Sequence, residues 1–198
     1  MSDQMTLAGQ LDRIWDLLHR AVAEDRSPLR CVTLATTDSA GTPQARMVVL
    51  RQIDRGNSAV TFYTDFRSHK VAQIAQNASA ALLLWSPETV TQLRLSGTAV
   101  ILDGSERDWA QVPDHMREAY GHVPEPGTPI TAADSWSVDP QLANFAKCQV
   151  TLEAIDVVTL DPAGHSRALY ERARAPRRRW ARRSTRSPTP RRSRPPNC

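Results

Sequence analysis

Residues 31–65 read CVTLATTDSAGTPQARMVVLRQIDRGNSAVTFYTD, and the fold turns on this stretch. Cys31 to Thr37 is rich in β-branched residues, and Asp38-Ser39-Ala40-Gly41 turns it into a second run, Thr42 to Ile53. Arg55-Gly56-Asn57 is the next turn, and Ala59 to Thr64 a third run. Strands joined by turns this short predict antiparallel pairing.

Toward the N-terminus, Leu7, Leu11, Ile14, Leu18 and Val22 recur at spacings of four and three, the stripe of an amphipathic helix that ends before Ser27-Pro28. Toward the C-terminus, Ser68 is placed to cap a short helix through Val71, Ile74 and Ala75 to Asn77. Ala80 to Trp85 and Thr91 to Leu102 read as strands joined near Ser86-Pro87. After Gly104, a helical stretch carries Trp109, Val112 and Met116 and is divided by Pro113. Gly121 to Pro140 is rich in Pro, Gly and Ser and reads as a long loop. Phe145 to Leu160 alternates into a long strand, and Asp161-Pro162-Ala163-Gly164 turns it into a last one, Ser166 to Tyr170. Many short strands with few helices predict a mainly β (α+β) domain, an antiparallel barrel rather than a doubly wound sheet.

At 198 residues with 40% hydrophobic side chains, the chain has enough material for one core. No apolar run approaches the roughly 18 residues of a membrane span, and Met1 to Gln10 lacks the pattern of a secretory leader, so a cytoplasmic location is expected. Cys31, Cys148 and Cys198 fall in no paired or metal-like spacing. The net charge of +4 conceals a division: residues 172–198 hold eleven arginines and no acid. Residues 1–171 hold 14 basic and 21 acidic side chains, a net of −7. We therefore expect a globular domain over 1–171 and a disordered Arg/Pro-rich tail over 172–198. With 23 Arg and two Lys, the composition points to a GC-rich gene, and reading such a gene out of frame produces Arg, Pro and Ala in quantity. A frameshift accounts for the tail better than an evolved nucleic-acid arm, because the body is acidic and lacks an aromatic-basic platform.

Three clusters carry candidate chemistry. Arg46-Met47-Val48-Val49-Leu50-Arg51 sets cations at both ends of an apolar strand, and period two points Arg46 and Arg51 to opposite faces. They are exposed strand residues or contacts to two different partners. In Phe62-Tyr63-Thr64-Asp65-Phe66-Arg67-Ser68-His69-Lys70 a strand ends in hydroxyls and enters a helix start with three basic side chains. That run either caps a helix or supplies what a phosphate needs. In Gln92-Leu93-Arg94-Leu95-Ser96-Gly97 a polar Gln opens a strand. The remaining histidines, His19, His115, His122 and His165, lack companion ligands, and no phosphate loop, nucleophile elbow or metal motif occurs.

In this order and spacing the clusters, with Ala81-Leu82-Leu83-Leu84-Trp85 between the second and third, resemble the pyridoxamine 5'-phosphate oxidase family over roughly residues 29–170. The resemblance implies a split β-barrel homodimer with FMN at the subunit interface. It assigns Arg46 and Lys70 to the FMN phosphate, with His69 where the family often has Arg. Met47, Val48, Val49 and Leu50 would line the flavin with backbone groups, Tyr63 and Thr64 would lie beside the phosphate and ribityl chain, and Gln92 would hydrogen-bond the ring. Arg51 stands where the oxidases usually have a substrate-reaching Lys. The implied chemistry is hydride transfer from a small substrate to flavin N5.

The chain also departs from the pattern. Where the oxidases bind substrate phosphate with Tyr, Arg and Ser on a helix after the fifth strand, it carries Trp109, Pro113 and Arg117. The C-terminal Trp and Arg signature is absent in recognisable form. An FMN-dependent oxidoreductase is the first reading, a flavin-binding protein without turnover the second, and a nucleic-acid-binding protein acting through its tail the third.

Overall fold

Helix α1 (Leu7–Ala23) forms where the spacing predicts it, burying Ile14, Trp15, Leu18 and Ala21 on one face and packing on the second strand. The computed structural model describes residues 7–24, 27–161, 164–172 and 180–183. After a 3₁₀ turn at Pro28–Arg30 come β1 (Cys31–Thr37), β2 (Pro43–Asp54) and β3 (Ala59–Asp65). Helix α2 (His69–Gln76) follows, then β4 (Ser79–Ser86) and β5 (Thr91–Asp103). The segment after β5 holds α3 (Glu106–Ala110) and α4 (Asp114–Arg117), with Pro113 at the N-cap of α4 as the dividing residue. The long loop contains one short antiparallel pair, β6 (His122–Val123) with β7 (Ser137–Val138), too brief to leave a periodic trace in the sequence. Strands β8 (Phe145–Asp161), β9 (Gly164–Arg172) and β10 (Trp180–Arg183) complete the sheet.

All pairings are antiparallel, and the strand order β10-β9-β8-β3-β2-β1-β4-β5 closes through β8 with β5. Six strands thus form a closed barrel. β8 is long enough to have two roles: Phe145–Thr151 lies between β3 and β5, and Ala154–Asp161 lies between β5 and β9. The barrel fills with alternate residues of each strand: Val32 and Leu34, Val48 and Leu50, Val60 and Phe62, Leu82 and Leu84, Leu93 and Leu95, Val150 and Leu152. At the Ser96/Gly97 bulge, β5 passes so close to β8 that a Cβ on Gly97 would lie 2.0 Å from the Thr151 carbonyl oxygen.

Two expectations need correction. Ser68 sits at the N-cap position of α2, but its hydroxyl makes no capping bond; it donates to the Asp65 carbonyl at 2.7 Å instead. The Arg-rich segment, expected to be without structure, supplies β10, which pairs with Leu169–Arg172 of β9. The physical reason is Trp180, the one large apolar side chain there, which packs partly buried against the barrel core and pairs a sheet edge that would otherwise be open. The rest of 173–198 lies outside the described residues.

Candidate cofactor and substrate sites

The barrel is split between β2 and β3. Their register runs from Asp54↔Ala59 to Leu50↔Phe62 and stops. Beyond it, Tyr63, Thr64 and Asp65 continue to pair with β8, while Met47, Val48 and Val49 continue to pair only with β1. The β3-facing edge of residues 47–49 therefore carries backbone groups not used in the ladder, beside the strand that ends in Thr64. Side chains of Val48 and Leu50 are buried in the core, so any contact they make with a ligand runs through the backbone.

On the inner side of this split lies a polar cluster. Arg46, half-buried, donates from Nη1 to Thr36 Oγ1 at 2.5 Å and from Nη2 to Gln73 Oε1 at 2.6 Å. Thr36 donates to the same Gln73 oxygen at 2.6 Å. Lys70, in the first turn of α2, donates to Thr64 Oγ1 at 3.0 Å and Ser68 Oγ at 2.9 Å. Burial, and then the Arg46 charge, hold the Lys70 ammonium below the ordinary lysine value, with Asp65 and Cys148 opposing. Buried Cys148 lies beneath, its thiol pushed up to about 12 by burial.

Of the three basic residues clustered at the helix start, one is withdrawn. Asp65, itself buried, takes Arg67 through Nε at 3.1 Å and Nη2 at 2.7 Å. His69 is exposed, and the loop comes down on it: a Cβ on Gly127 (φ +93°) would fall 2.6 Å from its ring. The sequence reading missed Thr36 and Gln73. Gln73 carried a usable signal, since it lies three residues after Lys70 and shares its helix face; Thr36 carried none.

Arg51 points away from this cluster, as strand parity requires. Its guanidinium lies 5.7 Å from the centroid of the Tyr63 ring, and Nη2 is 4.0 Å from Met116 Sδ. Tyr63, expected beside Thr64, is on the Arg51 side and packs edge-on against Phe145. Burial raises its phenol above the ordinary value. Arg51, Tyr63 and Met116 line a cleft of about 760 Å³ under α4, with Val49, Gln52, Gln111, Val112 and Pro113. Of the three residues in the α3–α4 stretch, Pro113 lines the cleft, Trp109 packs behind it against Tyr120 and Phe145, and Arg117 is tied to Asp114 at 2.9 Å. Gln92, half-buried on β5, opens with Met47 and Trp85 onto a separate hollow of about 300 Å³.

Residues 12–103, which contain the split and the two-cation cluster, match the family described as pyridoxamine 5'-phosphate oxidase, FMN-binding domain. Over that stretch, somewhat less than half of its length, the chain is similar to the pyridoxamine 5'-phosphate oxidase FMN-binding domain. FMN is its cofactor. Pyridoxine/pyridoxamine 5'-phosphate oxidase of Chromohalobacter salexigens is 33% identical over 97 residues, 49% of this chain and 44% of its own length. The enzyme of that name from Microcystis aeruginosa is 37% identical over 92 residues, 46% of this chain and 42% of its own length. The matched part spans less than half the length of these relatives. Among solved structures, a pyridoxamine 5'-phosphate oxidase-related, FMN-binding protein of Nostoc punctiforme is 27% identical with a TM-score of 0.70, covering 92% of this chain and 100% of its own. PhzG from Burkholderia lata 383, solved with tetrahydrophenazine-1-carboxylic acid, shares the fold at a TM-score of 0.70 and 21% identity, over 94% and 95% of the two chains.

Proposed function

We propose that this protein is a pyridoxamine 5'-phosphate oxidase-like, FMN-dependent oxidoreductase whose own residues hold the flavin phosphate between Arg46 and Lys70. One observation carries the reading: two adjacent, partly buried cations repel each other and are held by neutral oxygens, those of Thr36, Gln73, Thr64 and Ser68. A phosphate relieves that repulsion and accepts charge-assisted bonds from both. Thr64 and Ser68 bond Lys70 at that point, His69 is assigned beside them, and the backbone of Met47 to Leu50, unpaired with β3 at residues 47–49, is assigned to the polar rim of the flavin. Gln92 is assigned to the ring and Arg51 to the substrate. The chemistry FMN supplies when bound is acceptance of a hydride at N5 from a small substrate.

A homodimer with FMN between the subunits fits the outward face of β1, β2 and β4. Met47 is 62% exposed, Leu83 41% and Trp85 47%, and both Met47 and Leu83 flank Thr33 in register. An apolar patch of this kind marks a contact surface. A flavin-binding protein without turnover is the second reading, favoured by Trp109 and Arg117 being committed to packing and to Asp114.

Purified protein should show flavin absorbance and release FMN. Arg46→Ala and Lys70→Ala should each weaken FMN by about 1.5–3 kcal/mol, roughly one to two decades, with a smaller effect on riboflavin. Unchanged FMN affinity in both variants, by fluorescence titration, would exclude the phosphate assignment. Anaerobic reduction of the bound flavin by a substrate separates the oxidoreductase from the silent binder.

A further inference from the structure

We infer that the turn at 125–128, in the long loop, closes the phosphate end of the cofactor site, so that the site takes the mononucleotide FMN and refuses the dinucleotide FAD. The inference rests on the flavin reading above and adds to it the residues that set cofactor choice.

The first observation is where the turn rests. Thr128 N donates to the Glu125 carbonyl at 3.1 Å, with Pro126 and Gly127 between them and Gly127 at φ +93°. The Gly127 backbone lies against the His69 ring: a Cβ there would fall 2.6 Å from Cε1 and 2.8 Å from Nε2. The loop that carries the turn is pinched at its base, where Asp139 N donates to the Gly121 carbonyl at 2.8 Å and β6 pairs with β7. It is thus a strap with both feet fastened. The second observation is the charge it brings. Glu125 is exposed and has no ion-pair partner among the described residues. Its charge reaches the rim: Asp65 first and Glu125 last hold the Arg67 guanidinium above its ordinary value, with burial opposing.

The chemistry of the cofactor's end makes these two residues selective. Within the cradle, Arg46, Thr36 and Gln73 bond one another, and Lys70 bonds Thr64 and Ser68. His69, next to Lys70 and exposed, is the outward side of the cradle, and the strap lies across it. FMN ends in a phosphate monoester, whose free oxygens the cradle accommodates. In FAD one of those oxygens is bridged to a second charged phosphate, which carries a ribose and an adenine. That continuation has to leave past His69, where it meets the Gly127 backbone and the Glu125 carboxylate. The first is a steric obstacle and the second a like charge, and both act against FAD alone.

The test is equilibrium dialysis of the purified protein against FMN alone and FAD alone over a series of concentrations, with bound flavin released and identified by chromatography. The parent should hold FMN more tightly than FAD by roughly a hundred-fold or more. In Gly127→Val the added side chain forces the turn and the His69 ring apart, and FAD affinity should rise by roughly ten-fold or more. Glu125→Gln, an exposed and nearly isosteric change that carries the test if Gly127→Val does not fold by circular dichroism, should raise FAD affinity roughly two- to five-fold, and less at high salt. The rise must be in FAD affinity itself; a ratio that narrows only because FMN binds less tightly overturns the inference. It is overturned equally if the parent binds FAD as tightly as FMN, or if neither folded variant binds FAD better than the parent. A parent that binds neither flavin overturns the cofactor reading and this inference with it, whereas a parent that binds FMN while the variants still refuse FAD overturns this inference alone.

Discussion

Arg46 owes its orientation to a carbonyl oxygen on another element. Gln73 Oε1 accepts from both Arg46 and Thr36, so α2 and β1 jointly fix where the guanidinium points. Gln73→Leu should leave the fold intact and let Arg46 swing, weakening FMN by about 0.5–1.5 kcal/mol, roughly two- to ten-fold. The diagnostic is the ratio of FMN to riboflavin affinity, which should fall, since only FMN brings the phosphate; a fall in both affinities alike would make Gln73 merely structural. Lys70 adds a pH dependence whose sign follows from its surroundings. Its proton is held less tightly than in free lysine because of burial and Arg46, with Asp65 and Cys148 acting the other way. FMN affinity should therefore fall as alkaline pH removes that proton, earlier than an exposed lysine would give, and Lys70→Met should flatten the fall. Strand parity alone made the opposite directions of Arg46 and Arg51 legible. The fate of Arg67 was not, because nothing in a linear run says that buried Asp65 will fold back onto the cation two residues later rather than leave it for a ligand.

Strands were legible where alternation is long, as in β2, β5 and β8, and illegible in β6 and β7, where two residues carry no period. The split between β2 and β3 was equally hidden: Leu50↔Phe62 and Val49/Tyr63 differ only in whether the strands stay together, which the rest of the barrel decides. Three strands are fastened at the opposite end by one carboxylate. Asp156 on β8 is 5% exposed and accepts from Arg94 on β5 at 2.7 Å and from Arg167 on β9 at 2.9 and 2.7 Å. Arg167, ahead of the Arg94 charge, holds its carboxyl below the ordinary value against the effect of burial. The stabilisation is thus in place above the ordinary carboxylate range and is lost as pH falls through the depressed value. Asp156→Asn should cost about 1–3 kcal/mol at neutral pH, the figure being limited by the half-exposed arginines, and should cost less in acid. Urea unfolding of both proteins at several pH values checks this; an equal cost at every pH would mean that charge is not what Asp156 contributes. Gly97→Ala, by contrast, should be damaging at every pH, since its methyl group meets the Thr151 backbone rather than a movable side chain.

At the scale of the whole molecule the two sites lie on either side of one strand, and the outward face beside them is apolar. Met47 on β2 and Leu83 on β4 flank Thr33 on β1, with Trp85 and Cys31 at one end of the row, so the exposed side chains form one patch rather than scattered residues. Gln92, assigned to the flavin ring, opens onto the same patch, as does Met47, whose backbone is on the free edge of the split. Pairing of two copies through this face would therefore bury the patch and bring a second chain next to the flavin at the same time. This links oligomeric state to cofactor content, and the link is testable in one set of samples. The parent should run as a dimer by light scattering and carry FMN. Leu83→Glu should split it, because a carboxylate placed on an exposed strand position is well solvated in the single chain but is desolvated against its own copy in the pair. The monomer should remain folded by circular dichroism, since Leu83 faces outward and leaves the barrel core untouched, and it should retain FMN less tightly than the parent. A folded monomer with parental FMN affinity would show that one chain suffices for the cofactor, and a Leu83→Glu protein that stays dimeric would move the interface to another face.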